Sequence, residues 1–411
     1  AGEVPFYEPG LEELLRKHVE SGRLSFTTSM RQVAGWADIH FVCVGTPQRP
    51  DSPAADLRYL DAAVQALVEA GPRPGSLVVG KSTVPAGTAA RLADRLQAAA
   101  PGVELAWNPE FLREGFAVDD TLRPDRLVFG VRPGGRGERM LRALYAPVIA
   151  AGTPVIVTDY ATAELVKTAA NAFLATKISF INAMAEVCDA AGGDVLKLAE
   201  ALGHDERIRR FLRPGIGFGG GCLPKDIRAF QARAAELGAG EAVRFLGEVD
   251  QINLRARHRV AALAARALGG DVAGRRIAVL GAAFKPNSDD IRDSPALEIA
   301  AALHRAGAAV VVYDPAALRG ARARFPELGH AASVVEAVTG AEAVLVLTEW
   351  TEFRDLDPAA LAPRVANRLV IDGRHALEPA AWRAAGWRYL APGRPADPAP
   401  GHPADPEAAR A

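Results

Sequence analysis

This 411-residue sequence predicts an α/β protein of two doubly wound domains joined by a central all-helical region with one long helix. Three observations predict it. Short apolar runs alternate with helical patterns through the first 160 residues, strand patterns vanish from Thr162 to about Gly269, and the alternation resumes at Arg275. Strands that alternate with helices imply parallel sheets built from crossover units.

In the first domain the strand expectations are Ile39–Val44, Leu77–Gly80, Val103–Trp107, Leu127–Val131 and Val155–Thr158, with helical patterns such as Asp61–Glu69 and Thr88–Ala99 between them. The middle region reads as helices, the longest near Glu241–Leu268. There Val243, Leu246, Val249 and Ile252 recur every three residues as an apolar stripe that could pair two copies of the chain or serve the chain's own core. The last strands are Ile277–Leu280, Val310–Tyr313, Ala343–Leu347 and Leu369–Ile371. Beyond about Pro392 proline, alanine and aspartate dominate without periodicity, which predicts a disordered tail. The expected division is 1–160, 161–269, 270–392 and a tail 393–411.

The chain opens on a loop, a helix over Leu11–Glu20 and a short strand near Leu24–Thr27, without a glycine-rich turn after a first strand. In the strand order 3-2-1-4-5-6, strands 1 and 2 separate strands 3 and 4. If Leu24–Thr27 and Ile39–Val44 are those outer two, the sheet lacks its centre and exposes apolar edges. Residue 1 is alanine, so the expectation is that a first βαβ unit lies upstream of this sequence.

Composition narrows the class. The apolar fraction of 49% suffices for large cores, and a net charge of −1 gives no bulk attraction to nucleic acid or anionic membrane. No apolar run approaches the length of a spanning helix, and the first residues lack a signal-peptide shape. Three cysteines make no disulfide framework. Cys43 and Cys188 read as packing residues of a strand and a helix. A cytoplasmic enzyme is the expected class, with no metal, no nucleic acid and no membrane.

Cys222 stands apart. It ends the run Gly215-Ile-Gly-Phe-Gly-Gly-Gly221 and is followed by Leu-Pro-Lys-Asp226, a helix start with Pro224 in its first turn. The positive end of that helix, with Lys225, favours a thiolate nucleophile. The glycines would let backbone approach a bulky ligand. The alternative is a tight loop that a cysteine happens to follow. Lys167 and Asn171 share one helix face four residues apart, a pair that could stabilise an oxyanion or merely form a solvated surface. Asp226 stands four residues after Cys222 and could act as a base or hold a water. Glu110 and Glu114, read as one helical turn apart, follow a strand at Trp107. The turns Gly45-Thr46-Pro47 and Lys81-Ser82-Thr83 also end strands, and three such turns at neighbouring carboxyl ends make a crevice. Gly281-Ala-Ala-Phe284-Lys285 follows a strand, where Lys285 could reach a phosphate or sugar. The match Gly215-x-Gly217-x-x-Gly220 to GxGxxG has no strand before it and is set aside.

The segments KSTVPAGT, NPEFLREG, LVKTAANAFLATKISFIN, GIGFGGGCLPKD, LGAAFKPNSDDIRDSPA and IDGR occur in one order. With them the sequence resembles the UDP-glucose/GDP-mannose dehydrogenases, from Glu8 to about Arg374, and NAFLATKISFIN favours the UDP-glucose 6-dehydrogenase branch. The resemblance implies two Rossmann-like domains, an NAD-binding one at 1–160 and a UDP-sugar-binding one at 270–392, around a dimerisation region at 161–269. It implies a homodimer or larger homo-oligomer acting on UDP-glucose with NAD. The C6 alcohol would be oxidised to an aldehyde, captured by Cys222, oxidised again to a thioester and hydrolysed to UDP-glucuronate. By motif position, Lys167 and Asn171 would stabilise the oxyanion and Asp226 would assist proton transfer. Thr83 would orient water, and Glu110 would serve as acid/base in hydrolysis.

For NAD the resemblance points to Val44, Thr46, Ser82, Thr83, Glu114 and Arg292. For the sugar nucleotide it points to Phe111, Leu112, Arg113, Glu114, Lys167, the loop Phe211–Gly219, Phe284, Lys285 and Arg374, with Arg257 reaching into the neighbouring subunit. The sequence departs from the family pattern at Gly221, where serine is frequent and glycine should be tolerated. The alternatives are a dehydrogenase for GDP-mannose or UDP-N-acetylmannosamine, or a redox-inactive sugar-nucleotide-binding protein with an incomplete NAD site.

Overall fold

The computed structural model describes residues 4–395. They form two compact units: the residues up to Phe173 together with Cys222–Gly247, and Leu174–Gly221 together with the residues from Glu248 onward. The helical stretch 161–269 is divided between the two.

The first unit holds a five-stranded sheet of β1 (Ile39–Val42), β2 (Leu77–Gly80), β3 (Glu104–Trp107), β4 (Leu127–Gly130) and β5 (Val155–Thr158), in that order. Both faces of β2, β3 and β4 are covered, as continuous apolar strands require, whereas Phe41 of β1 and Ile156 and Val157 of β5 are exposed. Val78, Leu105 and Trp107 face the helices Arg58–Ala70 and Thr88–Ala99, which bury Leu60, Val64, Leu67, Leu92 and Leu96. Leu77, Val79 and Ala106 face the opposite way, against Leu141 of the helix Gly137–Leu144. Strands β1, β2 and β3 run parallel, so the turns after Val42, Gly80 and Trp107 emerge at one edge as expected.

Three expectations fail in this unit. The sheet is not parallel throughout: β4 joins β3 antiparallel through the single pair Trp107 and Gly130. A parallel neighbour needs a crossover that packs back over the sheet. The segment after β3 is instead a loop and the short helix Ala117–Leu122. Leu24–Thr27 forms no strand; it has no strand partner among the described residues, and Phe26 is exposed. Cys43 is exposed rather than packed, because β1 is an edge strand and Phe41 and Cys43 face away from His40 and Val42. Cys188 is buried as expected.

The second unit holds β6 (Arg276–Leu280), β7 (Ala309–Tyr313), β8 (Gly329–His330), β9 (Ala343–Val346), β10 (Leu369–Asp372) and β11 (Arg388–Leu390). All pairings are parallel, in the order β11-β10-β9-β6-β7-β8, which is the doubly wound order 3-2-1-4-5-6. Strands β8 and β11 were not expected; at two and three residues they leave no period to read. Strand order reverses between β6 and β9, and the segment leaving β6 carries Phe284 and Lys285 while that leaving β10 carries Arg374. The turn after β6 is closed to a pyrophosphate. The buried Asp314 carboxylate accepts the N–H groups of Ala282 (2.7 Å) and Ala283 (3.0 Å), filling the place an anion would take.

The longest helix is Tyr160–Ala191, at 32 residues. The helix expected at Glu241–Leu268 is a 3-10 turn, Gly240–Val243, followed by Phe245–Ala267. Its apolar stripe is spent inside the chain, since Leu246 and Val249 are buried. Gly393, expected to begin the tail, is anchored: its N–H donates to Asp189 Oδ1 and its carbonyl accepts from Val195. Residues 396–411 of the expected tail lie outside the described residues. Among the described residues no helix is long and apolar enough to cross a membrane.

Candidate active site

Cys222 occupies the N-cap position of the helix Leu223–Glu236, with Pro224 in its first turn, and its carbonyl accepts from the N–H of Asp226 at 2.9 Å. Its thiol caps nothing and the residue is exposed. The helix places Asp226 one turn on, 2% exposed, and Asn171 donates to it at 2.7 Å. Asn171 and Lys167 lie on the inward face of Tyr160–Ala191, at 7% and 5% exposure, so they are not a solvated surface. Lys167 Nζ is ion-paired to Glu110 at 2.9 Å. Cys222, Asp226, Asn171, Lys167 and Glu110 thus belong to one unit, as a Cys222–Asp226–Asn171 hydrogen-bonded group and a separate Lys167–Glu110 ion pair carried on the same helix face as Asn171.

The electrostatics correct one expectation. Although part of Cys222 reaches the surface, the protein crowded around its sulfur displaces water and pushes the thiol up, and Asp226 adds to it; Lys167 and Lys225 pull the other way without prevailing. Lys225 does favour the thiolate, as expected, but it is also ion-paired to Asp226, which opposes it. Cys222 is therefore held as a thiol that must lose its proton when it attacks, which gives an adjacent base a task.

Glu110 and Glu114 are not a helical turn apart, because Asn108–Arg113 is an extended loop. Glu110 accepts the N–H of Leu112 at 2.7 Å, and Asp120 accepts that of Arg113 at 2.7 Å. Glu8 closes the segment by accepting from Gly115 and Ala117. The ring of Phe111 lies 5.6 Å from Lys167 Nζ and 4.0 Å from the Arg126 guanidinium. Beneath this loop Asn108 accepts from Tyr145 (2.7 Å) and Lys81 (3.2 Å), and donates to the Val128 carbonyl. Burial pushes the Lys81 ammonium down and the Tyr145 phenol up to about 12. Sequence reasoning assigned no role to Asn108, Tyr145 or Lys81; contacts between residues this far apart leave no local period.

The turns after β1 and β2 are tied to each other. Thr46 donates to the Thr83 carbonyl and Ser82 to the Val44 carbonyl, each at 2.7 Å. A cavity of about 250 Å³ opens beside them, lined by Thr46, Thr83, Val84, Asp226, Phe230 and Val243 among others. Thr46, Thr83 and Thr168 are the hydroxyl-bearing residues of its mainly apolar wall; of the residues expected at NAD, Thr46 and Thr83 line it, while Val44 and Ser82 do not. Arg292, expected with them, lies in the second unit, paired with Asp290.

The second unit gathers the other expected residues about the loop Phe211–Gly219. Arg374 donates to the carbonyls of Leu347, Phe284 and Gly217. Lys285 Nζ lies 5.3 Å from the Phe284 ring centroid, and Phe211 is exposed at a φ of 76°. The glycines serve protein contacts rather than a ligand. Gly217 has a φ of 96°, and a Cβ there would stand 2.5 Å from Asn253 Oδ1. A Cβ at Gly220 would stand 2.7 Å from the Phe284 ring. At Gly221 it would meet the Arg292 guanidinium at 2.3 Å, so a serine requires that flexible side chain to move. Arg257 does not reach outward. It is 2% exposed and pairs with Asp293 and Glu298 while donating to the Phe218 carbonyl, all within its own unit.

Comparison with known proteins gives this arrangement its context. Residues 1–149, 161–255 and 278–379 match the NAD binding, central and UDP binding domains of the UDP-glucose/GDP-mannose dehydrogenase family. The chain belongs to that family. It is 39% identical over 398 residues to a UDP-glucose 6-dehydrogenase of Rhizobium meliloti, covering 96% of this chain and 90% of that one. It is 40% identical over 407 residues to the enzyme of that name from Pseudomonas aeruginosa, covering 96% and 89%. Among solved structures, a UDP-glucose dehydrogenase from the archaeon Pyrobaculum islandicum superposes with a TM-score of 0.82 at 38% identity, covering 93% of this chain and 88% of that one. A UDP-D-ManNAc dehydrogenase from Pyrococcus horikoshii gives 0.81 at 25% identity, covering 96% and 90%. Membership places these carboxylate, amide, ammonium and thiol groups in a family of nucleotide-sugar dehydrogenases.

Proposed function

We propose that this protein is an NAD-dependent UDP-glucose 6-dehydrogenase that converts UDP-glucose to UDP-glucuronate through a thioester on Cys222. The observation that carries it is the convergence of Lys167, Asn171 and Asp226 on the helix start that presents Cys222, in a chain about 39% identical over nearly its whole length to curated enzymes of that name. NAD, when bound, supplies the hydride acceptor for both oxidations. The residues of this chain do the rest. Lys167 and Asn171 point a cation and an amide donor at the oxygen that becomes negative at C6, inside a wall that keeps such donors strong. Asp226, hydrogen-bonded to Asn171, takes or relays the proton that the raised thiol must lose. Cys222 sulfur bonds to the C6 aldehyde to give a thiohemiacetal, whose oxidation leaves the thioester. A water deprotonated with the help of Glu110 and oriented by Thr83 then adds to the thioester carbon. The C–S bond breaks, and the proton returns to sulfur.

We read the uridine diphosphate part of the sugar nucleotide as held by Phe284, Lys285 and Arg374 of the second unit, which the UDP binding domain match covers. NAD is assigned to 1–160, the UDP-sugar to 270–392 and subunit pairing to 161–269. A cytoplasmic place belongs to the same reading, and the unpaired state of all three cysteines suits a reducing compartment. Comparing kcat/KM for UDP-glucose, GDP-mannose and UDP-N-acetylmannosamine tests the substrate. UDP-glucose is expected to be preferred, and a tenfold preference for either alternative rejects it.

Homodimerisation belongs to the proposal as well, carried by a different surface from the one first expected. Phe173, Phe180 and Val187 recur at seven-residue spacing along the helix Tyr160–Ala191 and are all exposed. Sedimentation of the wild type and of Phe180→Glu is the check. A dimer that dissociates in the variant is expected; a fully active wild-type monomer contradicts it.

A further inference from the structure

We propose that Glu164 and Arg233 are positioning residues that clamp the turn Pro85–Gly87 from two sides and so hold Thr83 in register with the residues around Cys222. This inference rests on the function proposed above. The helix Thr88–Ala99 begins at Gly87 without a side-chain cap of its own. Its free N–H groups are met by a residue far along the chain: Glu164 accepts from Gly87 at 2.7 Å and from Ala89 at 2.6 Å. Glu164 is 1% exposed and stands one turn before Lys167 on the same inward helix face. From the other side Arg233, on the helix that Cys222 begins, donates Nε to the Ala86 carbonyl at 2.9 Å. One short turn is therefore bonded to the helix of Lys167 and Asn171 and to the helix of Cys222 and Asp226, and it leads directly from Thr83. Glu164 has no other task in the mechanism, and a carboxylate so deeply buried needs one; Arg233 also pairs with Glu236 at 2.8 Å and lines the cavity beside Thr83.

The clamp is sensitive to pH. Burial pushes the Glu164 carboxyl up to about 7, against the backbone donors that favour its charged form. Arg233 is the charged group facing it from the helix Leu223–Glu236. On the helix Thr88–Ala99 the basic residues Arg91 and Arg95 lie against Asp61; on its own helix Lys167 is paired with Glu110. Ionised, both Glu164 oxygens accept from the turn. Protonated, one oxygen presents a hydrogen to a donor, and the grip weakens. The folded protein binds this proton more tightly than the unfolded chain does. The same group therefore contributes stability at low pH that is lost as pH rises through about 7.

The test is steady-state kinetics of wild type, Glu164→Gln and Arg233→Gln with UDP-glucose from about pH 5.5 to about pH 9, where a carboxylate limb would show. The wild type should lose kcat/KM for NAD as pH falls below about 7. Glu164→Gln should lack that limb and show a KM for NAD raised roughly fivefold, the factor one helix cap is worth, with the KM for UDP-glucose little changed. Arg233, partly exposed, is the variant expected to fold even if Glu164→Gln does not, and it should raise the same KM. Unchanged KM for NAD in both variants, or the wild-type limb persisting in Glu164→Gln, overturns the proposal. A wild type that does not reduce NAD with UDP-glucose would instead refute the function. The clamp would then be judged by amide exchange at Gly87 and Ala89, expected to quicken in Glu164→Gln and contradicted if unchanged.

Discussion

Cys222→Ser is expected to lower steady-state NADH formation from UDP-glucose by about a thousandfold or more, the scale seen when a covalent nucleophile is removed. A serine hydroxyl at the start of the helix Leu223–Glu236 keeps the shape of the site but not the acidity of sulfur, even of a sulfur whose thiol is already pushed up by burial. The aldehyde can still form, yet it cannot be carried to a thioester. Titration calorimetry should find UDP-glucose binding nearly unchanged, because the residues assigned to the sugar nucleotide are elsewhere. Turnover within tenfold of wild type would remove Cys222 from the role of nucleophile.

Lys167→Ala is expected to lower kcat by about a hundredfold to a thousandfold, the scale of a lost oxyanion donor. Two effects add. The developing negative oxygen loses a buried cation, and Glu110 loses the partner that holds it at 2.9 Å. The Phe111 ring also loses the ammonium above it, so a smaller disturbance of sugar-nucleotide binding should accompany the loss. The kcat measured at saturating substrate separates the two, and a loss under fivefold would contradict the assignment.

How far the sequence carried this picture follows from the range of each signal. The helices Leu11–Glu20 and Thr88–Ala99 and the strands Leu77–Gly80 and Val155–Thr158 lie where periodicity puts them, because each is a local apolar pattern with clear punctuation. Cys222, Asp226, Lys167 and Asn171 were legible because a spacing of four on a helix puts side chains together whatever the fold. What was illegible is tertiary. The Glu164 cap on Gly87 spans 77 residues and the Arg233 bond to Ala86 spans 147. No window over the sequence contains either pair. The Asn108–Arg113 loop was misread as a helix start because Glu110 turns its carboxylate back on the N–H of Leu112, a choice composition does not betray. The glycines before Cys222 looked like room for a ligand; the side chains that need that room, Asn253 and Phe284, come from distant parts of the chain. Arg257 was assigned to a neighbouring subunit, but two carboxylates and the Phe218 carbonyl hold it at home.

The most direct test of the central claim is the ratio of NADH formed to UDP-glucose consumed when the sugar nucleotide is limiting and NAD is in excess. An enzyme that retains the aldehyde on Cys222 and oxidises it again releases two NADH for each UDP-glucuronate, with no free aldehyde. One NADH for each sugar, with aldehyde appearing in solution, would contradict the account.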